Sequence, residues 1–306
     1  MAKDDSPSLL DPDGLARISR MELVARQAVE GFLTGRHPSP FHGSSVEYAD
    51  HRPYTLGDEI RSIDWKLLAK TDKYYIKLFE EQTNLRCTIV LDASASMGFS
   101  SGQTMSKFQY GCHLAAALAY LMVRQNDSVG LAMFDDGVRQ YLPSRSTASH
   151  FRNLIDIMEE AEPGGETSMA TVLHELVGRL KRRGLIILIS DLLDDPDAVS
   201  TALAHFKYRK HEVIVFHLMD EAELTFPYDR LTRFRDSEGS GMVVANPRVM
   251  RKRYLERLTE FLDQTKHRCL EQNISYELVH TNMPYDQMLS AYLQRRSRIT
   301  RTARLA

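Results

Sequence analysis

From Arg86 onward, short continuous aliphatic runs alternate with longer stretches whose apolar residues recur every three or four positions. The first rhythm predicts strands buried on both faces and the second predicts helices. Their alternation therefore predicts βαβ units and a mostly parallel sheet. A first strand is expected over 87–91 and a first helix over 107–125, apolar almost all round through Phe108, Cys112, Leu114, Leu118, Leu121 and Met122. Strands are expected over 128–134 and 138–142, around a turn at Asp135-Asp136-Gly137, then a helix over 147–160. A helix over 168–182 ends in Arg179, Lys181, Arg182 and Arg183, cations suited to its dipole, with Gly184 expected as its stop. A strand over 185–189, a helix over 196–208 and a strand over 213–219 follow. The pattern closes with a hairpin over 231–245 turning at 237–241, a helix over 248–270, a strand over 274–280 and a helix over 285–295. Leu255, Leu258, Phe261 and Leu262 form the apolar stripe of the long helix.

Before Arg86 the rhythm is weaker. Residues 1–15 are polar, 15–33 have helical apolar spacing, and Gly35-Arg36-His37-Pro38-Ser39-Pro40 is turn-rich. Short extended runs at 45–48 and 73–78 flank a helix-like 63–69. The pattern predicts an α/β, doubly wound, mostly parallel sheet with an N-terminal extended and helical strap. Three segments are expected: a polar arm and helix (1–40), a strap (41–85), and an α/β domain (86–306) with a hairpin insertion near 231–246.

Bulk composition narrows the function classes. Across 306 residues, 43% hydrophobic and 26% charged are globular proportions. Lys+Arg 39 against Asp+Glu 41, net −2, gives no global basic field for nucleic acid. Cys87, Cys112 and Cys269 include no C-x-x-C pair and read as reduced thiols. The most apolar run, 114–123, is about half a membrane span, and a cytoplasmic protein is expected.

The chemistry concentrates where strands end. Leu91 runs into Asp92, Ser190 into Asp191 and Met219 into Asp220. Ligands of open parallel sheets bind outside the carboxyl ends of the strands, so these acids converge on the functional edge. A strand-exit acid can equally be a helix N-cap. Ser94 and Ser96 change the picture for Asp92, since a tight loop can turn both hydroxyls towards one point. Hard cations such as Mg²⁺ take about six oxygen ligands, several of them waters. Gly164-Gly165-Glu166-Thr167 supplies a further hydroxyl, because its glycines allow close backbone approach just before a helix.

Asp92-x-Ser94-x-Ser96 after the first strand, Thr167 in a Gly-rich loop and Asp191 after a later strand resemble the metal-ion-dependent adhesion site of von Willebrand A domains. The resemblance implies that Ser94, Ser96 and Thr167 touch Mg²⁺ or Mn²⁺, while Asp92 and Asp191 act mainly through water. A second resemblance spans about 43 to the C-terminus. Glu47-Tyr48-Ala49-Asp50-His51-Arg52-Pro53-Tyr54, Gly57-Asp58-Glu59-Ile60-Arg61-Ser62-Ile63-Asp64-Trp65-Lys66, Phe79-Glu80-Glu81, Phe226-Pro227 and Tyr292-Leu293 resemble the domain-of-unknown-function 58 family. Its members carry this block before a von Willebrand A-like domain. Glu166 stands where a Gly is common, which leaves Thr171 as the alternative to Thr167. The resemblance implies a protein partner donating an acidic side chain, a MoxR-type AAA+ ATPase, in protein assembly or maturation. Arg52, Asp58, Arg61 and Asp64 would form the partner-specific surface, or else a structural ion-pair girdle with Trp65 as a core anchor.

Other chemistries fit less well. Gly98-Phe99-Ser100-Ser101-Gly102 matches G-x-S-x-G, and Asp191 and His217 follow in the order of an α/β serine hydrolase triad. Five residues separate Asp92 from Gly98, however, whereas a nucleophile elbow needs the strand to enter the turn directly, and His217 lies inside an apolar strand run. A haloacid-dehalogenase-like phosphatase needs a second carboxylate where Ser94 stands. No P-loop or dinucleotide motif is present, and His174-Glu175 lacks the second His of H-E-x-x-H. A binding module and not an enzyme is therefore expected. Arg295, Arg296, Arg298, Arg301 and Arg304 form a basic tail, expected to be a solvated helix end.

Overall fold

The computed structural model describes residues 46–55, 63–81, 85–102, 105–124, 126–235, 241–284, 287–289 and 292. The helix expected over 15–33, most of the turn at 237–241, most of the helix over 285–295 and the basic tail lie outside these residues. The chain divides into two compact units, Arg36–Asn84 and the rest.

In the smaller unit β1 (Val46–Pro53) pairs antiparallel with β2 (Tyr75–Glu81), with an irregularity between Tyr48 and Asp50. Between them lies α1 (Trp65–Thr71), capped by Asp64, whose carboxylate accepts the amide hydrogens of Lys66 at 2.9 Å and Leu67 at 3.1 Å. Trp65 is 57% exposed, so it is not the expected core anchor.

The larger unit runs β3 (Arg86–Asp92), α2 (Lys107–Arg124), β4 (Ser128–Phe134), β5 (Val138–Arg145), α3 (Ala148–Glu160) and α4 (Met169–Arg179). It continues with β6 (Leu185–Ser190), α5 (Pro196–Tyr208), β7 (Glu212–Met219), α6 (Glu221–Thr225), β8 (Thr232–Arg235), β9 (Met242–Ala245), α7 (Pro247–Glu271) and β10 (Ser275–His280). Six strands form one sheet in the order β10-β7-β6-β3-β4-β5, parallel except for β5, which turns back on β4 at one edge. β8 and β9 form the separate hairpin.

Period-two alternation supplies both cores. Ile89, Leu91, Ile187, Ile189, Phe216 and Leu218 face α2 and α3 in one cluster. Val90, Ile186, Leu188, Val213 and Val215 face α4 and α5 in the other. Helices thus cover both faces, as continuous aliphatic strands require.

One helix boundary differs from the sequence expectation. α4 stops at Arg179, and Gly184 is not its cap. A Cβ at Gly184 would lie 2.3 Å from the Arg86 carbonyl oxygen, so glycine is required there for the entry into β6 to pass against β3. The strand order also reverses between β3 and β6: the chain builds outward from β3 to β5, then returns to build outward from β6. At such a switch point the two following segments diverge and open a crevice at the carboxyl ends of the strands.

Candidate metal centre

Four neighbouring strands, β4, β3, β6 and β7, end at or run into a buried aspartate: Asp135, Asp92, Asp191 and Asp220. Each acid is held differently. Asp92 accepts the Ser94 amide hydrogen at 2.9 Å on Oδ1 and the Ser190 hydroxyl at 2.6 Å on Oδ2. The first bond folds the chain back over the strand end, into a 3-10 turn over Ala95–Gly98. That fold brings the Ser94 and Ser96 hydroxyl oxygens to 3.1 Å of each other, both buried.

The Thr167 loop is joined to this serine loop through backbone. Gly164 donates to the Ala93 carbonyl at 2.8 Å, and Ala95 donates to the Gly165 carbonyl at 3.1 Å. Gly165 has φ +83°, and a Cβ there would lie 2.7 Å from Asp135 Oδ2. Asp135 is ion-paired with Arg139 Nε, whose Nη1 and Nη2 donate to the carbonyls of Glu162 at 2.9 Å and Gly164 at 2.6 Å. Thr167 is half-buried two residues beyond Gly165, whereas the alternative, Thr171, is exposed on α4.

Asp191 carries a partner that the sequence reading missed. Its Oδ2 accepts from Lys107 Nζ at 2.7 Å, and the same ammonium donates to Glu223 Oε1 at 2.8 Å. Lys107 is fully buried. Asp220 takes the helix-cap role: it accepts the Ala222 amide hydrogen at 2.8 Å, while Glu223 Oε2 accepts from the Asp220 amide, closing a capping box.

The charges respond to this setting. Burial, reinforced by Asp191, pushes the Asp92 carboxyl up to about 7 against the pull of the Ser190 and Ser94 hydrogen bonds. Burial alone would lower Lys107, but Asp191 and Glu223 outweigh it and the ammonium is raised. Burial holds His217 down to about 4, so its ring is neutral.

The residues of the hydrolase alternative have the following partners. His217 Nδ1 shares a 2.8 Å hydrogen bond with the Tyr276 hydroxyl, Asp191 Oδ2 is taken by Lys107, and Ser100 Oγ accepts from the Gly102 amide at 3.1 Å.

The donors suit a hard cation. Two buried hydroxyl oxygens already face each other, and the Asp92 carboxyl beside them is held by the Ser94 amide and the Ser190 hydroxyl. Among the described residues there is no group of three or more His, Cys, Asp or Glu able to hold a metal. Cys87, Cys112 and Cys269 are free and buried, with thiols raised by burial.

Of the strap residues, Asp64 is the α1 cap and Arg52 lies in β1 opposite Ile76. Asp58 and Arg61 lie outside the described residues. The sequence did hold one signal for Lys107: a cation on the first turn of an apolar helix has the wrong sign for the dipole and needs a nearby anion. Ser190 and Arg139 carried no comparable signal.

Fold and edge together define an α/β protein with a mostly parallel sheet and a carboxylate and hydroxyl cluster at its switch point. The chain belongs to the family described as protein of unknown function DUF58, whose model matches residues 50–262. Uncharacterized proteins of Mycobacterium bovis and Mycobacterium tuberculosis are each 26% identical over 245 residues, covering 78% of this chain and 76% of theirs. The conserved hypothetical protein BatB from Bacteroides thetaiotaomicron is similar in structure at 17% identity, with a TM-score of 0.46 over 70% of this chain and 99% of that one. An aerotolerance-related membrane protein from Bacteroides fragilis gives the same identity and TM-score, over 70% of this chain and 98% of its own. No helix among the described residues is long and apolar enough to cross a membrane.

Proposed function

We propose that this chain is a metal-dependent protein-binding module, von Willebrand A-like in fold and site, and not an enzyme. Ser94, Ser96 and Thr167 would hold Mg²⁺ or Mn²⁺ directly, with Asp92 and Asp191 acting through water. The observation that carries the reading is the buried Ser94 and Ser96 hydroxyl pair, 3.1 Å apart at the sheet's switch point. A bound cation would supply positive charge with a coordination position open to an incoming carboxylate.

The chain's own residues prepare that position. Ser94 and Ser96 are neutral donors, so they leave the positive charge largely undiminished. Asp92 uses one oxygen on the Ser94 amide and the other on Ser190, and so fixes the loop. Arg139 clamps the segment that leads to Thr167. The proposed partner donates an acidic side chain, and by family resemblance it is a MoxR-type AAA+ ATPase in protein assembly or maturation. Arg52, Asp58, Arg61 and Asp64 would set which partner docks, since complementary charge governs specificity and on-rate more than raw affinity. The proposed setting is the cytoplasm, where free cysteines persist.

The test is titration calorimetry of the chain with a MoxR-type AAA+ ATPase encoded alongside it, in Mg²⁺ and in EDTA. Binding should weaken by roughly tenfold or more in EDTA and equally in Ser96→Ala, the scale of one lost charge-assisted contact. Ser100→Ala should bind as the wild type does. Equal affinity in Mg²⁺ and EDTA would contradict the proposal.

A further inference from the structure

A lysine with no exposed surface is costly to bury and is kept only where anions hold it. Lys107 meets that condition through Asp191 at 2.7 Å and Glu223 at 2.8 Å, themselves 32 positions apart in the chain. Its position in α2 makes it more unusual, since a cation on the first turn opposes the helix dipole. Its main chain is tied to the candidate site as well: the Lys107 amide donates to the Phe99 carbonyl, and the Phe99 amide donates to the Ser96 carbonyl, both at 3.1 Å. One residue thus links the turn that carries Ser96 to the acid that follows β6.

We propose that Lys107 is the resident counter-ion of this edge, neutralising Asp191 in the metal-free protein and competing with an incoming divalent cation for that carboxylate. The proposal rests on the metal-centre reading above. Without metal, Asp191 and Glu223 share one internal cation, and the edge stays folded. When a divalent cation enters, its charge and that of Lys107 act on the same carboxylate, so each weakens the hold of the other. Reciprocity of linked equilibria then sets the sign of two substitutions. Lys107→Met removes the competitor and leaves Asp191 fully charged for the metal. Glu223→Gln keeps the side chain's size but removes one of the lysine's two carboxylates and leaves a single acceptor for Lys107 and the Asp220 amide, so the lysine's charge falls on Asp191 and repels the cation.

The experiment is calorimetric titration of Mn²⁺ alone into the full chain, with melting temperatures in EDTA and in Mn²⁺. Lys107→Met should bind Mn²⁺ on the order of tenfold more tightly than wild type, melt lower in EDTA and gain a larger rise with metal. Glu223→Gln should bind it several-fold more weakly. A purely structural lysine predicts that both variants lose stability and that their Mn²⁺ affinities stay unchanged or move the same way, and that result overturns the proposal. If Lys107→Met does not fold even in Mn²⁺, Glu223→Gln decides alone, and unchanged or tighter binding by it overturns the proposal. Wild-type binding that depends on Ser94 and Ser96, yet is unaltered in both variants, removes Lys107's role and leaves the metal centre standing. No wild-type binding, or binding that survives loss of both serines, removes both.

Discussion

At the scale of single residues, the cluster at the carboxyl edge joins groups that are near in sequence with groups that are not. Asp92, Ser94 and Ser96 lie within one turn of chain, so their pattern was readable. Lys107 meets Asp191 across 84 positions and Glu223 across 116, and pairings of that range come from strand order, not from spacing. The readable string therefore named the Ser94 and Ser96 pair and missed Lys107. His211, at the opposite end of β7, offers a separate test of burial. Burial lowers its imidazole below the ordinary value, against the opposing pull of hydrogen bonding to the Gly184 and Leu180 backbone. The unfolded chain takes up a proton near pH ~6.5, whereas the folded chain resists until lower pH. The stability tied to His211 is therefore complete above that value and is lost as pH falls below it. Replacing His211 by Gln should flatten the fall in unfolding free energy between about pH 7 and pH 5. Denaturant melts across that range check it, and a parallel offset between variant and wild type would show that His211 does not titrate in this window.

At the scale of elements, strands were the most readable part, because an aliphatic run that alternates between two faces has few other places to go. β6, expected over 185–189, is observed as Leu185–Ser190, and α5 spans Pro196–Tyr208 as its apolar spacing predicts. Ends were less readable. The cations Lys181, Arg182 and Arg183 suggested a longer α4, but the chain leaves the helix after Arg179 to bring Gly184 against β3. The loop that carries Thr167 depends on a similar close approach at Gly165. Gly165→Ala would place a methyl group 2.7 Å from Asp135 Oδ2 at a φ of +83°, a conformation that L side chains rarely adopt. The expected cost is about 1–3 kcal/mol of stability, together with displacement of the loop that carries Thr167 and loss of the proposed metal-dependent stabilisation. Melting with and without Mg²⁺ checks both parts, and a full metal-dependent shift in Gly165→Ala would show that Thr167 is not among the donors.

At the scale of the whole molecule, the sheet order explains why these residues share one edge. β3 and β6 are neighbours at which the chain reverses its direction of building, so the segments after Asp92 and after Asp191 open away from each other. Sequence pattern gave the βαβ rhythm and the strand-exit acids, but not which strands are adjacent. That adjacency makes Ser190 a donor to Asp92. The account's central claim is that this edge binds a divalent cation through hydroxyls. It is tested most directly by the melting temperature of the full chain in EDTA and at rising Mg²⁺, for the wild type and for a Ser94→Ala, Ser96→Ala double variant. A ligand that binds only the folded state stabilises it by mass action, about 2.7 kcal/mol at a hundredfold excess over Kd. The account predicts a rise of roughly 5–10 °C at that excess for the wild type and none for the double variant. A double variant that keeps the full rise, or a wild type that shows none at any Mg²⁺ concentration, would contradict it.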